Sequence, residues 1–187
     1  MVKDAKRAIG IITSNLVFPR LRRDNKFKVT SNININYNCI AWAMRLGDRW
    51  VDTTRTAGHW WPLPVDSLSM QKEGLICAFE ALKFKKCDNS DRELWYDKVS
   101  LYCHPVTGAW THAARILSPE EYHSKLGGEW DIHHSNGGVL HNPLNMANTY
   151  GNEYQVMKRH KFLRVYSLWL TLIRLANNIW DGFRGLL

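Results

Sequence analysis

Four cysteines in 187 residues, with no CxxC pair and no regular spacing, supply neither a disulfide framework nor a thiolate metal cage. Cys39, Cys77, Cys87 and Cys103 therefore read as free thiols in a reducing compartment. No segment has the form of a signal peptide, and no apolar run is free enough of charge to read as a transmembrane helix. The location these gaps imply is the cytoplasm, or delivery into a target cell by a route that needs no signal. No internal repeat is visible. Neither HxxxH nor HExxH occurs, so His133-His134 with His104 and His141 do not read as a metal site, and no cofactor is expected.

What is present is a hydrophobic fraction of 45%, enough for one ordinary domain with a real core, and nine tryptophans, a heavy aromatic load. The formal charge of +8 is unevenly spread. Residues 1–28 carry a net +6 and residues 158–187 a net +5, whereas 29–157 carry −3. A basic arm (1–29), an acidic body (30–160) and a C-terminal helix (161–187) follow from that split. Charge gives no support to a nucleic-acid site in the body. The basic ends are the candidates for a partner protein or a membrane surface.

The strongest local signal is Asn36-Tyr37-Asn38-Cys39-Ile40-Ala41-Trp42-Ala43. A polar approach gives way there to an apolar helix-forming run, which predicts a helix over 38–46, capped by Asn38 and ended by Gly47. Cys39 is then the first helical residue, where the positive end of the helix dipole favours a thiolate. A long tryptophan-rich loop follows over 47–65. A second helix is expected over 67–83, with Leu75, Ile76, Phe79 and Leu82 on one stripe and Cys77 as a core thiol.

Period-two alternation then takes over. Strands are expected over 99–103, with Cys103 buried beside Val99 and Leu101, and over 111–117, with His112, Ala114 and Ile116 sharing a face. Further strands are expected over 122–126 and 154–158, and an amphipathic helix over 162–183. Helices first and strands afterwards predict an α+β fold with an antiparallel sheet.

A thiol hydrolase needs a base beside its cysteine and a group to orient that base. His112, on a strand between small neighbours, is the candidate base. Asp131 is the first choice to orient it, with Ser124 and Glu129 as rivals. Asn38 or Asn36 would join the Cys39 N–H in an oxyanion hole. Trp60 and Trp61 would wall a substrate cleft, with packing over the core as the bland alternative. Arg115 falls on the opposite strand face and reads as a solvated or ion-paired residue.

The segments Tyr37-Asn38-Cys39-Ile40-Ala41-Trp42-Ala43, Trp60-Trp61-Pro62, Lys98-Val99-Ser100-Leu101-Tyr102, Thr111-His112-Ala113-Ala114-Arg115, and Ser124-Lys125-Leu126-Gly127 with Asp131-Ile132 resemble, in that order, a poorly characterised bacterial family. That family is similar to divergent papain-like peptidases and amidases of the NlpC/P60 and CHAP type. The resemblance covers roughly residues 30–160 and implies Cys39 as nucleophile and His112 as base. It implies a polar third member on the strand after the base, where this chain has Ser124 or Lys125. Asn38-Cys39 stands where those enzymes commonly have Asp-Cys.

The resulting expectation is a papain-like fold, with the nucleophile's helix packed on a small antiparallel sheet. Its activity would be cysteine hydrolysis of a peptide, isopeptide or side-chain amide through an acyl-enzyme. Amine attack on that intermediate would make the outcome transglutamination or deamidation. The charge split adds the hypothesis of a delivered effector or toxin. The competing class is a non-catalytic interaction module on the same fold, with Cys39 as a buried small hydrophobe.

Overall fold

Asn38 starts the helix that places Cys39. In the computed structural model its Oδ1 accepts the backbone N–H of Ala41 at 3.0 Å. The same side chain donates from Nδ2 to the Val51 carbonyl at 2.9 Å, tying the helix start to the segment beyond it. The structure describes residues 5–14, 16–54, 58–62, 69–143, 145, 149–165, 169 and 172–173. Within them lie three helices, α1 (Ala5–Ile12), α2 (Cys39–Met44) and α3 (Lys72–Ala81). The strands are β1 (Lys28–Val29), β2 (Trp50–Val51), β3 (His59–Trp60), β4 (Lys85–Cys87), β5 (Tyr96–Cys103), β6 (Trp110–Ser118), β7 (Glu121–Lys125), β8 (Asp131–His134) and β9 (Asn152–His160).

Seven strands form one antiparallel sheet in the order β1-β8-β7-β6-β5-β9-β4, and β2 and β3 make a separate parallel pair. The architecture is α+β, with few helices and a mostly antiparallel sheet. Alternation along the strands gives the sheet two buried faces. On one, Val99, Leu101, Ala113 and Met157 pack against Ile40 and Met44 of α2 and Leu75, Ala78 and Phe79 of α3. On the other lie Tyr102, Ala114, Ile116 and Tyr122. Toward the β8 end, Ile132 is covered by Ala8 and Ile12 of α1 and by Phe18 and Leu21. The basic N-terminal segment therefore lies on the body and buries its apolar residues there.

Several elements depart from the sequence reading. The helix α2 ends with Arg45 in the left-handed conformation (φ 69°), short of Gly47, and the Arg45 side chain turns to Asp97 at 3.1 Å. Residues 67–68 lie outside the described part, and α3 begins only at Lys72. Cys77 is exposed, because it stands two residues from Leu75 and so points away from the buried stripe. Cys103 is half-buried: the β5 ladders shift register beside it. Arg115 is not solvated. It lies 3.6 Å over the Trp42 ring and donates Nε to the Trp42 carbonyl at 2.9 Å, holding α2 on the sheet.

At the far end of the sheet Asp97 gathers Arg45, Arg159 and Arg164, the last donating Nε at 2.7 Å. Burial alone would raise the Asp97 carboxyl, but the Arg164 hydrogen bond and the arginine charges hold it below its ordinary range. Arg164 closes a 3-10 turn over Lys161–Arg164. Of the helix expected over 162–183, residues 166–168, 170–171 and 174–183 lie outside the described part. Among the described residues, no helix is long and apolar enough to cross a membrane.

Candidate active site

Cys39 sits at the start of α2, facing β6, with 7% of its surface exposed. The dipole argument predicts a thiolate there, and the structure reverses it. Burial pushes the thiol up to about 11, and the backbone N–H groups of Ala113, Ile40 and Cys39 with the Lys125 charge offset only part of that. Desolvation outweighs the field of a helix only six residues long. In this state Cys39 is a neutral thiol.

The contact with Ala113 is explained by the sheet. Pairing between β6 and β7 begins at Arg115↔His123, so the first part of β6 is open on that side and its Ala113 N–H is left for the sulfur. His112, the preceding residue, projects to the other face, with Ala114 and Ile116. No hydrogen bond joins Cys39 to His112. Cys39 packs on the Ala113 face, so the two groups stand on opposite faces of β6, and Tyr150 contacts His112. Its ring stacks on the His112 ring at 3.9 Å between centroids and 5° between planes. Its phenol is raised by burial and then by the charge Cys39 would carry.

His112 is fully buried. Its Nε2 lies 3.0 Å from Ser124 Oγ, and that hydroxyl lies 2.8 Å from His134 Nε2. His134 Nδ1 in turn lies 2.6 Å from the Ser135 carbonyl. His112 Nδ1 is buried and has no hydrogen-bond partner. Burial holds both imidazoles neutral: His112 well below 6.5, with His134 a secondary cause, and His134 down to about 4.

Asp131 is not the group that orients His112. The β7–β8 register pairs Lys125 with Asp131, and strand alternation puts both on the face opposite Ser124 and His112. Asp131 instead lies 3.6 Å from the fully buried Lys125 ammonium, and its backbone N–H donates to Ser31. Lys125 also donates to the Glu129 carbonyl at 2.6 Å. Asn38, expected at an oxyanion hole, has its amide committed to Ala41 and to both backbone groups of Val51.

Trp61 stacks on Trp110 at 5.9 Å, and Trp60 lies under Arg49 at 5.1 Å. Both pack against the core on the α2 side. A recess of about 580 Å³, lined by Ile11, Phe18, Leu126, Glu129, Trp130 and Tyr150, includes neither Cys39 nor His112 in its lining.

Tyr150 and His134 were not legible as site residues. Their only signals are the Tyr150-Gly151 step, where Gly151 has φ 74°, and the adjacency of His133 and His134, whose side chains alternation sends to opposite faces. Among the described residues no three metal-ligating side chains come together. No curated protein and no solved structure matches the chain. Its acidic body does match a family: residues 28–158 fit the model of a domain of unknown function, DUF7689, and the chain belongs to that family.

Proposed function

We propose that the protein is a papain-like thiol hydrolase that acts on a peptide, isopeptide or side-chain amide. The observation carrying this reading is the unpartnered, buried Nδ1 of His112, whose other ring nitrogen faces Ser124. Cys39 starts as a thiol, so it is activated during attack and not beforehand. Its S–H proton has to reach His112 Nδ1 as sulfur bonds to the substrate carbonyl carbon, which requires substrate binding to bring together two side chains that stand on opposite faces of β6. The backbone N–H groups of Cys39 and Ala113, already near the sulfur, face the developing oxyanion, with the Lys125 charge close by. His112 returns the proton to the leaving amine, giving an acyl-enzyme. Water, deprotonated by the same nitrogen, releases the acid and restores the thiol.

The competing reading, a non-catalytic interaction module on the same fold, is favoured by the burial of Cys39 and by its neutral thiol. Hydrolysis of p-nitrophenyl acetate separates the two. A thiol hydrolase releases nitrophenol in a burst that is lost in Cys39→Ser and falls roughly a hundredfold in His112→Ala. Release that is equal in all three proteins rejects the enzyme.

A further inference from the structure

We propose that His134, acting through the Ser124 hydroxyl, fixes His112 as the tautomer that carries its proton on Nε2 and a free lone pair on Nδ1. This rests on the thiol-hydrolase reading for its consequence, but the tautomer itself can be measured without a substrate.

The chain of hydrogen bonds is anchored at a backbone carbonyl. The Ser135 oxygen is only an acceptor, so His134 Nδ1, 2.6 Å away, must bear the hydrogen. A neutral His134 then has a bare Nε2, which can only accept. Ser124 Oγ, 2.8 Å from that nitrogen, must donate its single proton to it. Having spent its proton, the hydroxyl can only accept from His112 Nε2, 3.0 Å on the other side. His112 is therefore the Nε2–H tautomer, and the remaining nitrogen is the unpartnered Nδ1. Each assignment forces the next, from Ser135 to the candidate base.

The surroundings do not supply a competing lock. The groups facing His112 are Tyr150, stacked on it, Tyr102 at 5.3 Å between ring centroids, and Ser124. His134 faces Tyr122, and the Asp24 carboxylate accepts the neighbouring Ser135 N–H at 2.7 Å. A serine alone does not specify a tautomer, because its hydroxyl can turn and donate to Nε2. The donor direction is set by the histidine behind it. His134 is thus a positioning residue, remote from the thiol, with a role that Asp131 was expected to fill directly.

The test is a long-range proton–nitrogen correlation spectrum of the full chain at neutral pH. In the wild type His112 is expected as the Nε2–H tautomer. His134→Asn keeps a donor toward Ser135 but removes the acceptor that reaches Ser124. The freed hydroxyl then donates to His112 Nε2, and the major tautomer becomes Nδ1–H. His134→Gln, whose side-chain oxygen replaces the lost acceptor, is expected to keep the wild-type tautomer. Should His134→Asn fail to fold, Ser124→Ala against Ser124→Thr makes the same comparison, with the tautomer preference lost in the first and kept in the second.

The acylation burst is expected to fall about tenfold or more in His134→Asn and to recover in His134→Gln. A wild-type Nδ1–H tautomer, or a tautomer unmoved by His134→Asn or Ser124→Ala, overturns the proposal. A tautomer that switches as expected in a protein that forms no acyl-enzyme leaves the lock standing and removes the catalytic reading alone.

Discussion

Asn38 does two jobs with one amide: it caps α2 and ties it to Val51 on both backbone groups. Loss of an N-cap side chain costs about 1 kcal/mol, and buried backbone groups left without partners add to that. Asn38→Ala is therefore expected to lower stability by about 2 kcal/mol in urea denaturation, whereas a change near zero would mean water replaces the cap at no cost. The histidines give a second prediction. His112 lies well below 6.5 and His134 near 4 because burial disfavours their charged forms. An unfolded chain titrates them near 6.5, at about the ordinary value. As pH falls from about 6.5 toward 4, the unfolded state gains protons that the fold refuses, and stability drops. Each such proton contributes a slope of about 1.4 kcal/mol per pH unit. Above neutrality both states are uncharged at these sites and the contribution stays constant. Urea midpoints measured from pH 7 down to about 4 should fall steadily, and a flat profile would contradict the buried neutral pair.

At the scale of elements, the turn into β9 positions Tyr150, whose ring stacks on His112. Gly151 has φ 74°, and a Cβ there would stand 2.0 Å from the Cys103 carbonyl oxygen. Gly151→Ala must move one backbone or the other, and should cost about 2–4 kcal/mol while releasing Tyr150 from His112. A variant with wild-type stability and an unshifted Tyr150 ring resonance would show that the turn does not set this geometry. The same scale explains what the sequence could reveal. The capped start of α2 and the alternation of β5, β6 and β7 depend on neighbours in the chain, so Asn38, His112 and Ser124 fall where patterning puts them. Asp131 depends on the β7–β8 register, a contact between strands that no local pattern encodes. β4 is a three-residue edge strand, Lys85-Lys86-Cys87, whose charge hides it from any hydrophobic period while protecting the edge. The helix dipole at Cys39 is visible in the sequence, whereas the depth of its burial, which outweighs the dipole, is not.

For the whole molecule, the family match over 28–158 excludes both basic ends, yet the fold uses them. Ala8, Ile12, Phe18 and Leu21 are each at most 3% exposed and cover Leu126, Ile132 and Leu140. Burial of a large apolar side chain contributes about 1.5–3 kcal/mol, so removal of residues 1–23 should cost at least about 3 kcal/mol and leave a protein prone to aggregate. A truncated body with wild-type melting behaviour would reduce the N-terminal segment to a passenger. The C-terminal end is held differently, through Arg164 on Asp97, by charge more than by apolar burial.

The proposed hydrolase requires Cys39 and His112 to work as a pair. Peptide-level mass spectrometry after a short exposure to p-nitrophenyl acetate tests this most directly. One acetyl group is expected on Cys39, disappearing over time as the thioester is hydrolysed and failing to form in His112→Ala. Cys77, the exposed thiol, serves as the internal control for indiscriminate acetylation. Acetyl groups found on Cys77, Cys87 or Cys103 but not on Cys39, or on Cys39 equally in wild type and His112→Ala, would contradict the pairing.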